Sequence, residues 1–286
     1  WKEALLRELD LGTRRALGRG LENPMDRDDR IHEIQAMARL RLKSLDPERV
    51  DSAWSGFGND YFLRHTAEEV AWHTRAVLKK ADDDRALVLA KPQPGGTHLF
   101  IYKRDRDNLF ATTTAVLDQL GLTVVDARII TGRSGYTLDS YVVLEADGTP
   151  IEGRARRREI VGRLKRALSG EQAPAACAPR RTPRRLKHFN TATTVSFDRD
   201  ETNQRTVLEI STVDRPGLLS RIGRAFVTAG VRLQNARIAT LGERVEDVFF
   251  VTDQNNEPFR DPARQSHIRE MLIAALDESI DVDAGS

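Results

Sequence analysis

Leu208-Glu-Ile-Ser-Thr-Val-Asp-Arg-Pro-Gly-Leu-Leu219 leads through a helical run into Gly230-Val-Arg-Leu-Gln-Asn-Ala-Arg-Ile-Ala-Thr240, and the same pattern stands about 109 residues earlier. The earlier copy reads Leu99-Phe-Ile-Tyr-Lys-Arg-Asp-Arg-Asp-Asn-Leu-Phe110, then Gly121-Leu-Thr-Val-Val-Asp-Ala-Arg-Ile-Ile-Thr131. Asp105-Arg106 falls on Asp214-Arg215, Leu109 on Leu218, Gly121 on Gly230 and Ala127-Arg128-Ile129 on Ala236-Arg237-Ile238. After a one-residue deletion Asp139 meets Asp247 and Val143 meets Val251. Each copy reads strand, helix, strand, strand, helix. That β-α-β-β-α order is a ferredoxin-like unit without its last strand, so the fold class is α+β.

In the first copy, Thr97 to Lys103 alternates and is rich in strand formers. Asn108 to Leu120 reads as a helix stopped by Gly121, Thr123–Thr131 and Thr137–Glu145 as strands, and Ile151–Leu168 as a closing helix. The second copy repeats this with strands over Arg205–Thr212, Val231–Thr240 and Val245–Thr252, and helices over Gly217–Ala229 and Pro262–Leu276. Each copy carries an extra strand in front, Ala86–Ala90 and Thr193–Phe197, with a turn cluster over Pro92–Gly96. Either extra strand can fill the slot of the missing fourth strand. Thr193–Phe197 could instead complete the first copy, and Ile280–Val282 is a weaker candidate for a true fourth strand. The expected domains are a helical segment over 1–80, α/β units over 86–170 and 191–286, and a linker over 171–190 rich in Ala, Pro and Arg.

The N-terminal segment is helical. Ile31, Ile34, Met37, Ala38 and Leu42 recur at amphipathic-helix spacing. Asp46-Pro47 is a cap followed by a first-turn proline, and Thr66-Ala-Glu-Glu69 is a capping-box signal.

Composition bounds the function. A net charge of +2 over 286 residues argues neither for nor against nucleic acid. No apolar run approaches the ~18 residues that span a bilayer, so no membrane partner is expected. The single cysteine, Cys177, cannot form an internal disulfide, which fits a cytoplasmic location. Because the chain opens at Trp1, it is expected to be the C-terminal piece of a longer protein.

At Asp214-Arg-Pro-Gly-Leu-Leu219 a strand turns into a helix. Pro216 suits a first helical turn, and Gly217 permits close approach of a ligand or a neighbouring backbone. The N–H groups of a helix start attract a carboxylate, and Asp214 can meet an ammonium. Together they suit a free amino acid. A tight turn capped by Asp214 is the alternative reading. No His among the six is followed by Asp, and the Gly-Ser at 285–286 has no paired Asp residues after it, so no catalytic residue is assigned. His65 and His73 near Glu68 and Glu69 are read as helix packing rather than a metal site. The basic run of Arg154, Arg156, Arg157, Arg158, Arg163, Lys165 and Arg166 lacks interleaved aromatics, which favours a solvated or acidic-protein-facing surface over nucleic acid.

Asp-Arg-Pro-Gly-Leu, a helix, then Asn-Ala-Arg-Ile resembles the ACT domain, a small ligand-binding regulatory module. The resemblance places ligand residues at Asp214, Gly217, Leu218 and Asn235, with Asp105, Asn108, Leu109 and Asp126 as first-copy counterparts. The first copy departs from the pattern: Asp107-Asn108 replaces Pro216-Gly217. Asn108 can keep the left-handed turn, whereas Asp107 would repel a carboxylate. Tyr61-Phe-Leu-Arg-His-Thr-Ala-Glu-Glu-Val-Ala-Trp-His-Thr-Arg75, Gly95-Gly-Thr97 and Ala239-Thr-Leu-Gly-Glu-Arg-Val-Glu-Asp-Val-Phe-Phe250 resemble a narrower family, the bifunctional uridylyltransferase/uridylyl-removing enzymes of bacterial nitrogen control. That resemblance implies the end of an HD phosphohydrolase region followed by two ACT modules. It also implies L-glutamine as effector, the PII signal protein as partner of the intact enzyme, and Mg in the parent nucleotidyltransferase. No cofactor is implied for this chain. A stand-alone ACT-type amino-acid-binding protein and a nucleic-acid-binding protein remain as alternatives.

Overall fold

The computed structural model describes residues 24–81, 83–170, 192–201, 203–241 and 244–277. The expected linker with Cys177, and the candidate strand Ile280–Val282, lie outside the described residues. The chain divides into two compact units between Lys79 and Lys80.

The first unit contains α1 (Pro24–Arg41), α2 (Pro47–Phe57), α3 (Asn59–Arg64) and α4 (Ala67–Val77). The Asp46 side chain accepts from the Glu48 N–H at 3.0 Å with Pro47 opening α2. Thr66 and Glu69 complete a reciprocal capping box at the start of α4. Ile31, Ile34, Ala38 and Leu42 are buried, but Met37 is 36% exposed. At roughly 100° per residue, Met37 lies about a quarter-turn off the mean direction of the other four, so it leaves their stripe. Tyr61 and Phe62 pack with Phe57, and the Trp54 indole donates to Thr74 Oγ1 at 2.9 Å. The two histidines belong to this aromatic cluster: His65 stacks on Tyr61, and His73 Nδ1 lies 2.8 Å from the Tyr61 hydroxyl.

In the second unit each repeat contributes four strands and two helices. The first supplies β1 (Leu87–Gln93), β2 (Gly96–Arg104), α5 (Leu109–Gln119), β3 (Leu122–Ile130), β4 (Tyr136–Glu145) and α6 (Arg154–Leu168). The second supplies β5 (Thr194–Asp200), β6 (Arg205–Val213), α7 (Leu218–Ala229), β7 (Arg232–Leu241), β8 (Arg244–Thr252) and α8 (Pro262–Asp277). All eight strands form one sheet in the order β1-β2-β4-β3-β7-β8-β6-β5. The extra strands β1 and β5 pair antiparallel with β2 and β6 of their own repeats, filling the slot of the missing fourth strand. Thr194–Asp200 therefore does not complete the first repeat. β1 also runs further than expected: it takes in Pro92 and confines the turn to Pro94-Gly95. A proline is tolerated there because β1 is an edge strand.

The two repeats join through β3 and β7, and equivalent residues Arg128 and Arg237 face each other across that seam. Register confirms the equivalence. Arg128 pairs with Ser140 as Arg237 pairs with Val248, and each strand carries a bulge at the same place, Val124/Asp126 and Leu233/Asn235. A pseudo-twofold axis thus passes through the Arg128–Arg237 pair. Alternate strand residues Leu99, Ile101, Tyr141, Val143, Leu208, Ile210, Phe249 and Val251 share one core with the helices of both repeats. Phe110 of α5 lies 6.4 Å from Phe226 of α7 and 6.1 Å from Phe249 of β8.

Candidate functional site

The pseudo-twofold creates two clefts. Each is built from the strand-to-helix loop of one repeat and the helix end and following strand of the other. Cleft one takes the loop Asp105–Ala111, Ile129, Thr131, Thr137 and Asp139 from the first repeat, and Gly223, Phe226, Val227 and Gly230–Leu233 from the second. Cleft two takes the loop Asp214–Ser220, Ile238, Val245 and Asp247 from the second repeat, and Thr114, Leu117, Asp118 and Leu122–Val124 from the first. Cleft one encloses about 60 Å³. Cleft two, which Ala146, Asp147 and Gly148 also line, encloses about 340 Å³.

Both loops make the same turn. Asn108 has φ 72° and Gly217 φ 76°, each as the N-cap of its helix. Asparagine tolerates the left-handed region better than other non-glycine residues, so the substitution preserves the loop. Pro216 stands one position before this cap and not in the first turn of α7. A left-handed residue cannot sit inside a right-handed helix, so the helix starts only after Gly217. The Asp118 carboxylate of the opposite repeat packs against Gly217, 2.9 Å from where a Cβ would be.

Of the residues singled out from sequence, Asp105, Asn108 and Leu109 line cleft one, and Asp214, Gly217 and Leu218 line cleft two. Asp126 and Asn235 line neither. Both follow the shared bulge at the seam, where Arg128 Nε donates to Asp126 at 3.0 Å and Asn235 is buried opposite Ile130. The sequence reading missed Asp118, Arg232, Asp139 and Asp247. The repeat alignment had placed Asp139 opposite Asp247, which was a usable signal. Asp118 and Arg232 come from the opposite repeat and become visible only once the pairing is known.

The electrostatics differ between the clefts. In cleft one Arg232 Nη2 lies 3.4 Å from Asp105 Oδ2, and Arg232 Nε lies 3.8 Å from Asp107 Oδ1. Burial raises the Asp105 carboxyl above its ordinary range, and the Arg232 charge pulls the other way. Asp139 is fully buried, accepts from the Thr137 hydroxyl and is pushed up to about 7, chiefly by burial. In cleft two burial likewise raises Asp214, and only a backbone hydrogen bond from Arg215 opposes it. Its carboxylates are Asp118, Asp147, Asp214 and Asp247, and the cation among its lining residues is Arg215, which donates to the Leu276 carbonyl at 3.2 Å. The cleft can thus receive an ammonium group, beside first-turn N–H groups of α7 that suit a carboxylate.

Comparison with known proteins agrees with this architecture. Residues 206–258 match the ACT domain and residues 26–76 match "Uridylyltransferase GlnD fifth domain". Over 97% of its length the chain is 48% identical to a bifunctional uridylyltransferase/uridylyl-removing enzyme of Ectopseudomonas mendocina, and it covers 32% of that protein. It is 47% identical over 98% of its length to the enzyme of the same name from Pseudomonas fluorescens, again covering 32%. The chain thus spans about a third of the length of the curated relatives it matches. Among the described residues no helix is long and apolar enough to cross a membrane. With an ACT domain at 206–258 and the fifth-domain match at 26–76, the chain corresponds to the C-terminal region of the bifunctional uridylyltransferase/uridylyl-removing enzyme family.

Proposed function

We propose that this chain is the amino-acid-sensing region of a bifunctional uridylyltransferase/uridylyl-removing enzyme and that its effector is L-glutamine. The observation that carries the reading is cleft two: about 340 Å³, opened by a Gly217 turn, acidic, and walled by both repeats. A ligand held between two repeats has an affinity that depends on their spacing, so its binding shifts the balance between arrangements. In the intact enzyme, low glutamine would favour transfer of UMP to the PII signal protein, and high glutamine its hydrolytic removal. Residues 26–76 would pass the signal towards the catalytic domains.

Calorimetric titration of the whole chain with L-glutamine, with L-glutamate and L-leucine as controls, tests this. Saturable binding of glutamine alone is expected, and it should be abolished by Gly217→Val, whose side chain would meet both the left-handed φ and the Asp118 carboxylate. Absence of glutamine binding by folded protein would refute the assignment.

A further inference from the structure

Superposing the repeats by their register puts Arg232 of β7 on Thr123 of β3. Each lines the cleft formed with the other repeat's loop: Arg232 in cleft one, Thr123 in cleft two. Arg232 spans cleft one, with Asn256 Oδ1 at 3.2 Å on one side and Asp105 and Asp107 on the other. Cleft two has the matching aspartate, Asp214, but Thr123 brings no cation to it. Pro216 and Val245 stand there in place of Asp107 and Thr137, so the polar clamp of cleft one is absent. The cleft that Arg232 enters is small, and the cleft that Thr123 lines, where Arg215 donates to the Leu276 carbonyl, is several times larger.

We infer that Arg232 is an internal ligand of cleft one: its guanidinium stands where the ammonium of an amino acid stands in cleft two, so the chain binds one effector, at cleft two alone. The inference rests on the amino-acid reading of cleft two, and Arg232 is the residue that decides between the clefts. Asp105 is then satisfied within the protein, whereas Asp214 is satisfied by the bound molecule. Among the differences between the two clefts, the change from a large cation to a small hydroxyl at this strand position is the one that adds or removes a charge facing the loop aspartate common to both copies.

The test compares wild type, Asp214→Asn, Asp105→Asn and Arg232→Thr by calorimetry with L-glutamine. Thr is the residue that Thr123 shows to be compatible with this strand position. The expected result is one site in wild type, lost in Asp214→Asn and kept in Asp105→Asn, and two sites in Arg232→Thr. Two sites in wild type, or one site lost through Asp105→Asn, would overturn the inference while leaving glutamine sensing intact. If wild type binds no glutamine, the functional reading fails, and a denaturant double-mutant cycle on Asp105→Asn and Arg232→Thr decides the remainder. Strongly non-additive unfolding constants are expected for an internal ligand, and additive ones overturn it.

Discussion

Asp139 is a carboxyl group held where water does not reach, so it carries a pH dependence of known sign. Its folded value of about 7 lies well above the ~3.9 of an exposed aspartate. Between those values the folded chain binds more protons than the unfolded one, so stability falls as pH rises from about 4 to about 7 and then levels off. At about 1.4 kcal/mol per unit the total is on the order of a few kcal/mol. Asp139→Asn keeps an acceptor for the Thr137 hydroxyl without the charge. We expect it to flatten this part of the stability profile and to stabilise the protein at pH 8, as read by urea unfolding at pH 5 and pH 8. An unchanged slope would show that Asp139 is not the titrating group. At this scale the sequence was partly legible: the Asp105 and Asp214 loops announced themselves through Asn108 and Gly217, because left-handed backbone restricts residue choice. Asp139 and Asp247 showed only through the alignment of the two copies, since a buried aspartate on a strand has no local signature.

Among elements, the contact between α5 and α7 decides how the repeats meet. A Cβ added at Gly223 would lie 2.8 Å from Ala111 Cα, so the two helices approach backbone to backbone at this point. Alanine in place of a helical glycine normally gains up to about 1 kcal/mol. Here that gain is set against overpacking, which typically costs about 1–3 kcal/mol. Gly223→Ala should therefore destabilise the protein, whereas Gly162→Ala in α6, with nothing within 4 Å of the new Cβ, should stabilise it by up to about 1 kcal/mol. Thermal unfolding of the two variants checks this, and equal stabilisation of both would contradict the close approach. The elements themselves were readable from alternation, caps and the repeat. Several bounds moved, and those at Pro92 and Pro216 moved because edge-strand pairing and a left-handed cap took precedence over local turn chemistry.

Across the second unit, one sheet and one core run through both repeats. Neither repeat has a complete core of its own, since Phe110 of the first packs on Phe226 and Phe249 of the second. The backbone amides of the β3–β7 seam, Ala127 with Ile238 and Ile129 with Ala236, should exchange with deuterium together and only through unfolding of the whole unit, whereas the edge strands β1 and β5 exchange earlier. Seam amides that exchange well before the central strands of either repeat would mean that the repeats open independently. The sequence by itself determined the repeated β-β-α-β-β-α units, the left-handed turns and the first-copy substitution at Asp107-Asn108, because periodicity, caps and steric limits on φ act locally. Only the tertiary structure decided that the repeats pair edge to edge within one chain, that Asp118 reaches the Gly217 loop, and that Arg232 enters one cleft while Thr123 lines the other. Those contacts join residues about a hundred positions apart, and no local preference specifies which distant edge a strand will meet.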